Sequence, residues 1–227
     1  MNFLSKTLIA CSLMLTGVSI ANAGVVIGGT RVIYDGNKKE ASIGVNNPDT
    51  MPYLVQSWIE TQSGGPEKVP FVITPPLYRL DQGQKNVERI LLTGPVPQDK
   101  ESLYWLNIKA IPSSSKAPGV NTLQIAIKTR IKLIYRPAAL KGARPEDQAD
   151  KLTWQKSGNQ IQVNNPSNYV INFNEINVGG KNIDGVTYVL PGSSARFMLP
   201  LGVTGGSVVF KVINDYGGPG EAHKSNI

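Results

Sequence analysis

From residue 25 onward, apolar and polar positions alternate in short runs with a period of two, and no run of ten residues carries the period near 3.6 that marks an amphipathic helix. Gly, Pro, Asn and Ser separate the runs. The pattern predicts strands over Val25–Tyr34, Glu40–Asn46, Tyr53–Glu60, Val72–Thr74, Tyr78–Leu80, Asn86–Thr93, Leu103–Ile111 and Thr122–Tyr135. Tyr34-Asp35-Gly36-Asn37 and Asn46-Asn47-Pro48-Asp49 supply turn chemistry between them. A second, smaller set follows at Leu152–Lys156, Gln160–Asn164, Val170–Val178, Gly185–Leu190, Ser193–Phe197 and Ser207–Ile213. Between the sets, Tyr135 to Pro145 loses the strand pattern and holds Pro137 and Pro145, which suits a linker. The fold class is therefore all-β: two immunoglobulin-like sandwiches, one over 24–139 and one over 140–227.

One run stands apart. Leu123, Ile125, Ile127, Thr129, Ile131, Leu133 and Tyr135 fall on one face, while Gln124, Ala126, Lys128, Arg130 and Lys132 fall on the other. Strands average about 5 to 6 residues, so this one is expected to run past its own core. The segment before it, Pro112 to Asn121, reads as an exposed loop, which puts Leu123, Ile125 and Ile127 at a rim. An apolar edge left open is a hazard that proteins suppress unless a partner strand is to be added there. A second copy of the chain capping this edge is one such partner.

The first 23 residues change the picture of where the chain works. Lys6, the apolar run Thr7–Ile20 and the ending Ala21-Asn22-Ala23 form the three regions of a secretory signal. The apolar run is shorter than the roughly 20 residues that span a bilayer, so no membrane insertion is expected. Leu8-Ile9-Ala10-Cys11 leaves too little apolar sequence ahead of it to serve as a lipoprotein cleavage box. Cys11 is the only cysteine, so cleavage after Ala23 leaves an exported protein without disulfides, thiol nucleophiles or cysteine metal sites. Of the 23 Lys and Arg, only Lys6 lies in the leader, leaving 22 against 16 acidic residues. These charges are scattered among apolar strands rather than clustered, which argues against nucleic acid.

Enzyme chemistry finds no support. His223 is alone in a polar tail, Glu221 to Ile227, to which no function is assigned. There is no P-loop, dinucleotide fingerprint or nucleophile elbow, and Val178-Gly179-Gly180 and Gly217-Gly218-Pro219-Gly220 read as turns. Neither a metal nor a cofactor is called for.

Six segments carry a resemblance: Thr30–Gly36, Pro52–Glu60, Thr74–Leu80, Leu123–Ile127, Ile131–Ala138 and Ile213–Gly218. In order and content the chain resembles the periplasmic pilus-assembly chaperones of the chaperone-usher pathway, the PapD-like family. The resemblance implies two sandwiches set at an angle around a cleft, with pilus (fimbrial) subunits and an outer-membrane usher as partners and the periplasm as location. It implies that Arg31 and Lys132 bind the subunit's C-terminal carboxylate, and that Leu123, Ile125 and Ile127 enter the groove of a subunit lacking its last strand. It further implies an interdomain ion network of Glu101, Arg136 and Asp215. Lys100 stands where the family often has Arg, the loop before Leu123 is short as in the branch serving rod-like pili, and the cysteine pair of some relatives is missing. The alternative is a structural immunoglobulin-like fimbrial subunit or adhesin, which would need a donor segment ahead of its first strand; here Gly24-Val25-Val26-Ile27 enters that strand at once.

Overall fold

The computed structural model describes residues 24–65, 67–113 and 123–227. The leader with Cys11, most of the loop before Leu123, and Thr122 lie outside the described residues. Strands β1 (Val26–Ile27), β3 (Glu40–Asn46), β7 (Lys85–Leu92) and β5 (Phe71–Thr74) form one sheet in the order β1-β3-β7-β5. Facing it is the sheet β2-β9-β8-β4-β6, built from Arg31–Asp35, Ile127–Arg136, Ser102–Pro112, Tyr53–Glu60 and Leu77–Leu80. All pairings in the two sheets are antiparallel except β2 with β9.

The predicted single strand Val25–Tyr34 is two strands, because the chain crosses from one sheet to the other at Gly28-Gly29. Gly28 N donates to Gly44 O at 2.8 Å, and a Cβ on Gly28 would sit 3.2 Å from that oxygen. Alternating inward residues of both sheets fill the core, among them Val32, Val55, Ile90, Leu106, Ile108 and Leu133. Tyr34, Phe71 and Tyr135 cluster at one end, with Tyr34 centred 5.6 Å from Phe71 and 5.7 Å from Tyr135.

The second sandwich stacks β10 (Thr153–Ser157), β11 (Gln160–Asn165) and β15 (Ser193–Met198) on β12 (Ile171–Val178), β13 (Lys181–Asn182), β16 (Ser207–Ile213) and β17 (Pro219–Asn226). The run predicted as Gly185–Leu190 contracts to β14 (Tyr188–Val189), which pairs with β12. Trp154, Phe173, Phe197 and Phe210 centre its core. Short 3₁₀ turns over Ala138–Leu140 and Glu146–Lys151 connect the sandwiches.

Both sandwiches use the same device at a turn. Asn47 and Asn165 each occupy the middle of Asn-Asn-Pro, and both are buried. Asn47 Nδ2 donates to the carbonyls of Met51 and Leu80; Asn165 Nδ2 donates to those of Tyr169 and Leu190. Each amide thereby satisfies backbone oxygens that a core has cut off from water.

Two further expectations are corrected. The polar tail is a strand: β17 pairs with β16 along the sheet edge, where an outward face needs no apolar alternation. His223 lies on it, stacked on Phe210 at 5.4 Å, with Nδ1 2.8 Å from Asp150 Oδ1. The long strand predicted from Thr122 begins its ladder only at Ile127, opposite Ala110. β8 itself ends two residues later, at Pro112, and among the described residues nothing pairs with Leu123–Ala126; alternation reports which face a residue takes, not whether a partner strand exists. Among the described residues no helix is long and apolar enough to cross a membrane.

Candidate functional site

Strand β9 connects the features of interest. Its one edge is bonded to β8 from Ile127 to Tyr135. Its other edge is bonded to β2 only from Lys132 to Arg136, so among the described residues nothing pairs with that edge between Ile127 and Ile131. Leu123, Ile125 and Ile127 precede or open this stretch and are 86%, 65% and 57% exposed. A recess of about 160 Å³ lies beside Ile125 and Ile127, floored by Val25, Ile27, Tyr53 and Ile108.

At the point where β2 closes the edge, Arg31 and Lys132 are register partners. Burial lowers the pKa of Arg31, partly countered by Asp215, and leaves its Nε without a hydrogen-bond partner. Burial, aided by the neighbouring Arg31 charge, brings Lys132 down to about 8. Lys132 Nζ donates to Asn172 Oδ1 at 2.6 Å and lies 4.8 Å from the centre of the Tyr188 ring. Two cations with spare donors, half withdrawn from water and side by side, make a site for an anion with two acceptor oxygens.

A second cluster joins the sandwiches. Arg136, at the end of β9, donates from Nη1 and Nη2 to Asp215 Oδ2 and Oδ1 at 2.6 and 2.8 Å, and from Nε to Glu101 Oε1 at 2.6 Å. Glu101 is 2% exposed, and its Oε2 accepts from Val170 N at 2.7 Å. Burial works against the Arg136 charge, but the two carboxylates more than offset it and raise its pKa above the ordinary value. Asp215 sits in the β16–β17 turn, where Gly217 has φ +88° and a Cβ would run into the Thr30 hydroxyl, next to Arg31. Ile134, on the face of β9 that the alternation assigns to polar residues, is buried with Leu103 and Val170 in a small apolar contact between the sandwiches.

The structure therefore brings Arg31 next to Lys132 and joins Glu101, Arg136 and Asp215, while Leu123, Ile125 and Ile127 stay exposed where β9 begins. Sequence reasoning missed Asn172, Tyr188 and Trp105. The one available signal was Asn172 itself, a polar residue within the otherwise apolar run Tyr169–Phe173. Among the described residues no group of three or more His, Cys, Asp or Glu could hold a metal ion.

Comparisons with known proteins agree along nearly the whole described chain. Residues 24–141 match the pili and flagellar-assembly chaperone PapD N-terminal domain, and residues 147–224 match the pili assembly chaperone PapD C-terminal domain. The chain is 44% identical to chaperone protein LpfB of Salmonella typhimurium over 223 residues, covering 94% of this chain and 95% of that one. It is 42% identical to chaperone protein FimC of Escherichia coli K12 over 202 residues, covering 87% and 82%. Among solved structures, the SafB chaperone of Salmonella enterica, in complex with the SafA pilin, superposes with a TM-score of 0.84 at 36% identity, over 92% of this chain and 99% of that one. The E. coli chaperone DraB gives 0.80 at 38% identity over 89% and 95%. With both domains matched in order and relatives well above 30% identity along nearly their full length, this chain belongs to the PapD-like family of pilus-assembly chaperones.

Proposed function

We propose that the protein is a periplasmic chaperone that holds a newly exported pilus subunit and passes it to an outer-membrane usher, acting by binding and not by turnover. The observation that carries the reading is the half-open edge of β9, free from Ile127 to Ile131 and ending at the Arg31–Lys132 pair. A subunit strand laid along that edge with its terminal carboxylate between the two cations must run parallel to β9, because it approaches Lys132 from the Ile127 side. It would thus extend the line of β2, itself parallel to β9. Leu123, Ile125 and Ile127 then complete the core of a subunit that lacks its last strand. Burying each contributes about 1.5–3 kcal/mol, against about 1.5–3 kcal/mol for each charge-assisted hydrogen bond to the carboxylate. The apolar row supplies affinity, and the cations set the register. Glu101, Arg136 and Asp215 hold the two sandwiches in the orientation that keeps the cleft open to the subunit. The alternative of a fimbrial subunit does not survive the family assignment.

The test is co-expression with a pilin encoded beside the protein, followed by purification of the wild type, Lys132→Ala and Ile125→Asp from periplasm. A one-to-one complex with the wild type, absent from both folded variants, is the expected result. Equal capture by all three proteins overturns the roles given to these residues.

A further inference from the structure

We propose that Asn172, with Tyr188 beside it, is a positioning residue for the Lys132 ammonium, so that the anion anchor is assembled from both sandwiches and not from the N-terminal one alone. The inference rests on the reading of Lys132 as a carboxylate anchor. Its geometry comes from two strand alternations that face each other. On β9, Ile131 and Leu133 point into the first core, which turns Lys132 outward. On β12, Ile171 and Phe173 point into the second core, which turns Asn172 toward the first sandwich, where it is 1% exposed. Each outward residue has an aromatic register partner: Trp105 for Lys132 and Tyr188 for Asn172. The two pairs meet, with the Trp105 and Tyr188 rings 6.3 Å apart and nearly edge-on.

The arrangement constrains the ammonium on two sides. Asn172 Oδ1 takes one of its three protons at 2.6 Å, and the Tyr188 ring lies 4.8 Å away as a favourable neighbour for positive charge. The remaining donors are left for a ligand. A neutral amide suits this task, because it offers a strong acceptor without neutralising the cation; a carboxylate in its place would be an internal rival to the subunit's terminus. The charged or titratable groups facing Lys132 are Arg31 on β2, Tyr188 on β14 and, along β9, Arg130, which is held over Trp105 at 4.3 Å and lies 3.7 Å from Glu60. Among the described residues Lys132 has no carboxylate within ion-pair distance, so Asn172 is the group that compensates its desolvation. The lowered pKa of Lys132, about 8, is in keeping with an ammonium held by a neutral acceptor. Because Asn172 belongs to the other sandwich, a ligand that binds Lys132 also stabilises the docked arrangement of the domains.

The experiment is a side-chain NMR titration of Lys132 in the full mature protein, free of any subunit, in wild type, Asn172→Ala and the isosteric Asn172→Asp. The midpoint is expected to fall in Asn172→Ala and to rise in Asn172→Asp; a midpoint unmoved in both overturns the proposal. Capture of a co-expressed pilin is the second readout. Asn172→Asp keeps Lys132 charged yet is expected to capture about tenfold less subunit, since its carboxylate occupies the ammonium; undiminished capture also overturns the proposal. If Lys132→Ala captures as well as wild type, it is the anchor reading that fails, and the titration still reports on whether Asn172 positions Lys132.

Discussion

Arg31 and Lys132 stand opposite one another in the parallel pairing of β2 with β9, two like charges on adjacent strands. Burial disfavours both charges, Asp215 partly counters it at Arg31, and the Arg31 charge further disfavours that of Lys132. Such a pair is a cost to the free protein that a bound anion removes. Arg31→Met should therefore leave the fold at least as stable as wild type, because it deletes a buried Nε that has no partner. The same change should raise the Lys132 midpoint above about 8, by removing the neighbouring charge, and should weaken subunit capture about tenfold or more. Thermal denaturation, the Lys132 titration and co-purification check the three parts; a large drop in melting temperature would make Arg31 a structural residue.

Capture should weaken as pH rises. Lys132 sheds its proton near pH 8 in the free protein, against 10.5 for an unperturbed lysine, and the carboxylate prefers the charged form. Affinity is then full below about 8 and declines above it. Stability of the free fold runs the other way. Between about 8 and 10.5 the unfolded chain holds the Lys132 proton that the folded chain has lost, so this group's contribution makes folding more favourable as pH rises. The difference between wild type and Lys132→Gln, followed through pH 7 to 10 (roughly the titration range of lysine in this setting), isolates the term from tyrosine ionisation.

Glu88 is a buried carboxyl away from the proposed binding site. It is wholly buried on β7, and its Oε1 accepts from Ser57 Oγ at 2.6 Å and Tyr78 OH at 2.9 Å. Its Oε2 has no partner. Burial raises its pKa, with the two hydroxyls working against the rise. A raised folded pKa means that the fold holds the proton more tightly than the unfolded chain does, so this stabilisation is present at acid pH and is lost as pH climbs through the folded value. Glu88→Gln should flatten the loss and equal or exceed wild-type stability at neutral pH. Urea melts at pH 5 and 8 check this (a span chosen on the carboxylate range); an unchanged slope between the two would show that Glu88 stays ionised.

The strands Glu40–Asn46, Tyr53–Glu60 and Ser207–Ile213 were legible to the residue, because each has one buried face and alternation reports burial. β17 was hidden because an edge strand with a solvated outer face carries no such alternation. The end of the β9 ladder was hidden for another reason: pairing depends on where the neighbouring strand β8 ends, a long-range fact. Arg31 and Lys132 could be singled out only by family resemblance, since an isolated cation near a strand end has no local signature. Their adjacency follows from a parallel register between segments about a hundred residues apart, and the Asn172 contact from how two sandwiches dock.

The Arg136 cluster separates stability from orientation. Removing the guanidinium strands Glu101, a carboxylate 2% exposed that also accepts from Val170 N. An uncompensated buried charge of this kind costs about 3–5 kcal/mol, so Arg136→Met should melt well below wild type. Adding Glu101→Gln removes the charge yet keeps an acceptor for Val170 N, and should recover more than half of the loss. That recovery would not extend to function. With Arg136 absent, Asp215 has lost both of its guanidinium bonds, and the β16–β17 turn keeps its close packing of Gly217 on Thr30 and the attraction of Asp215 to Arg31 but no longer the bidentate tie. The double variant should therefore be folded but poorly oriented: near wild type in melting temperature, broader in its small-angle scattering profile, and weak in subunit capture. A double variant that recovers stability and capture together would show that the cluster serves the fold alone, and that the small apolar contact of Leu103, Ile134 and Val170 suffices to set the domains.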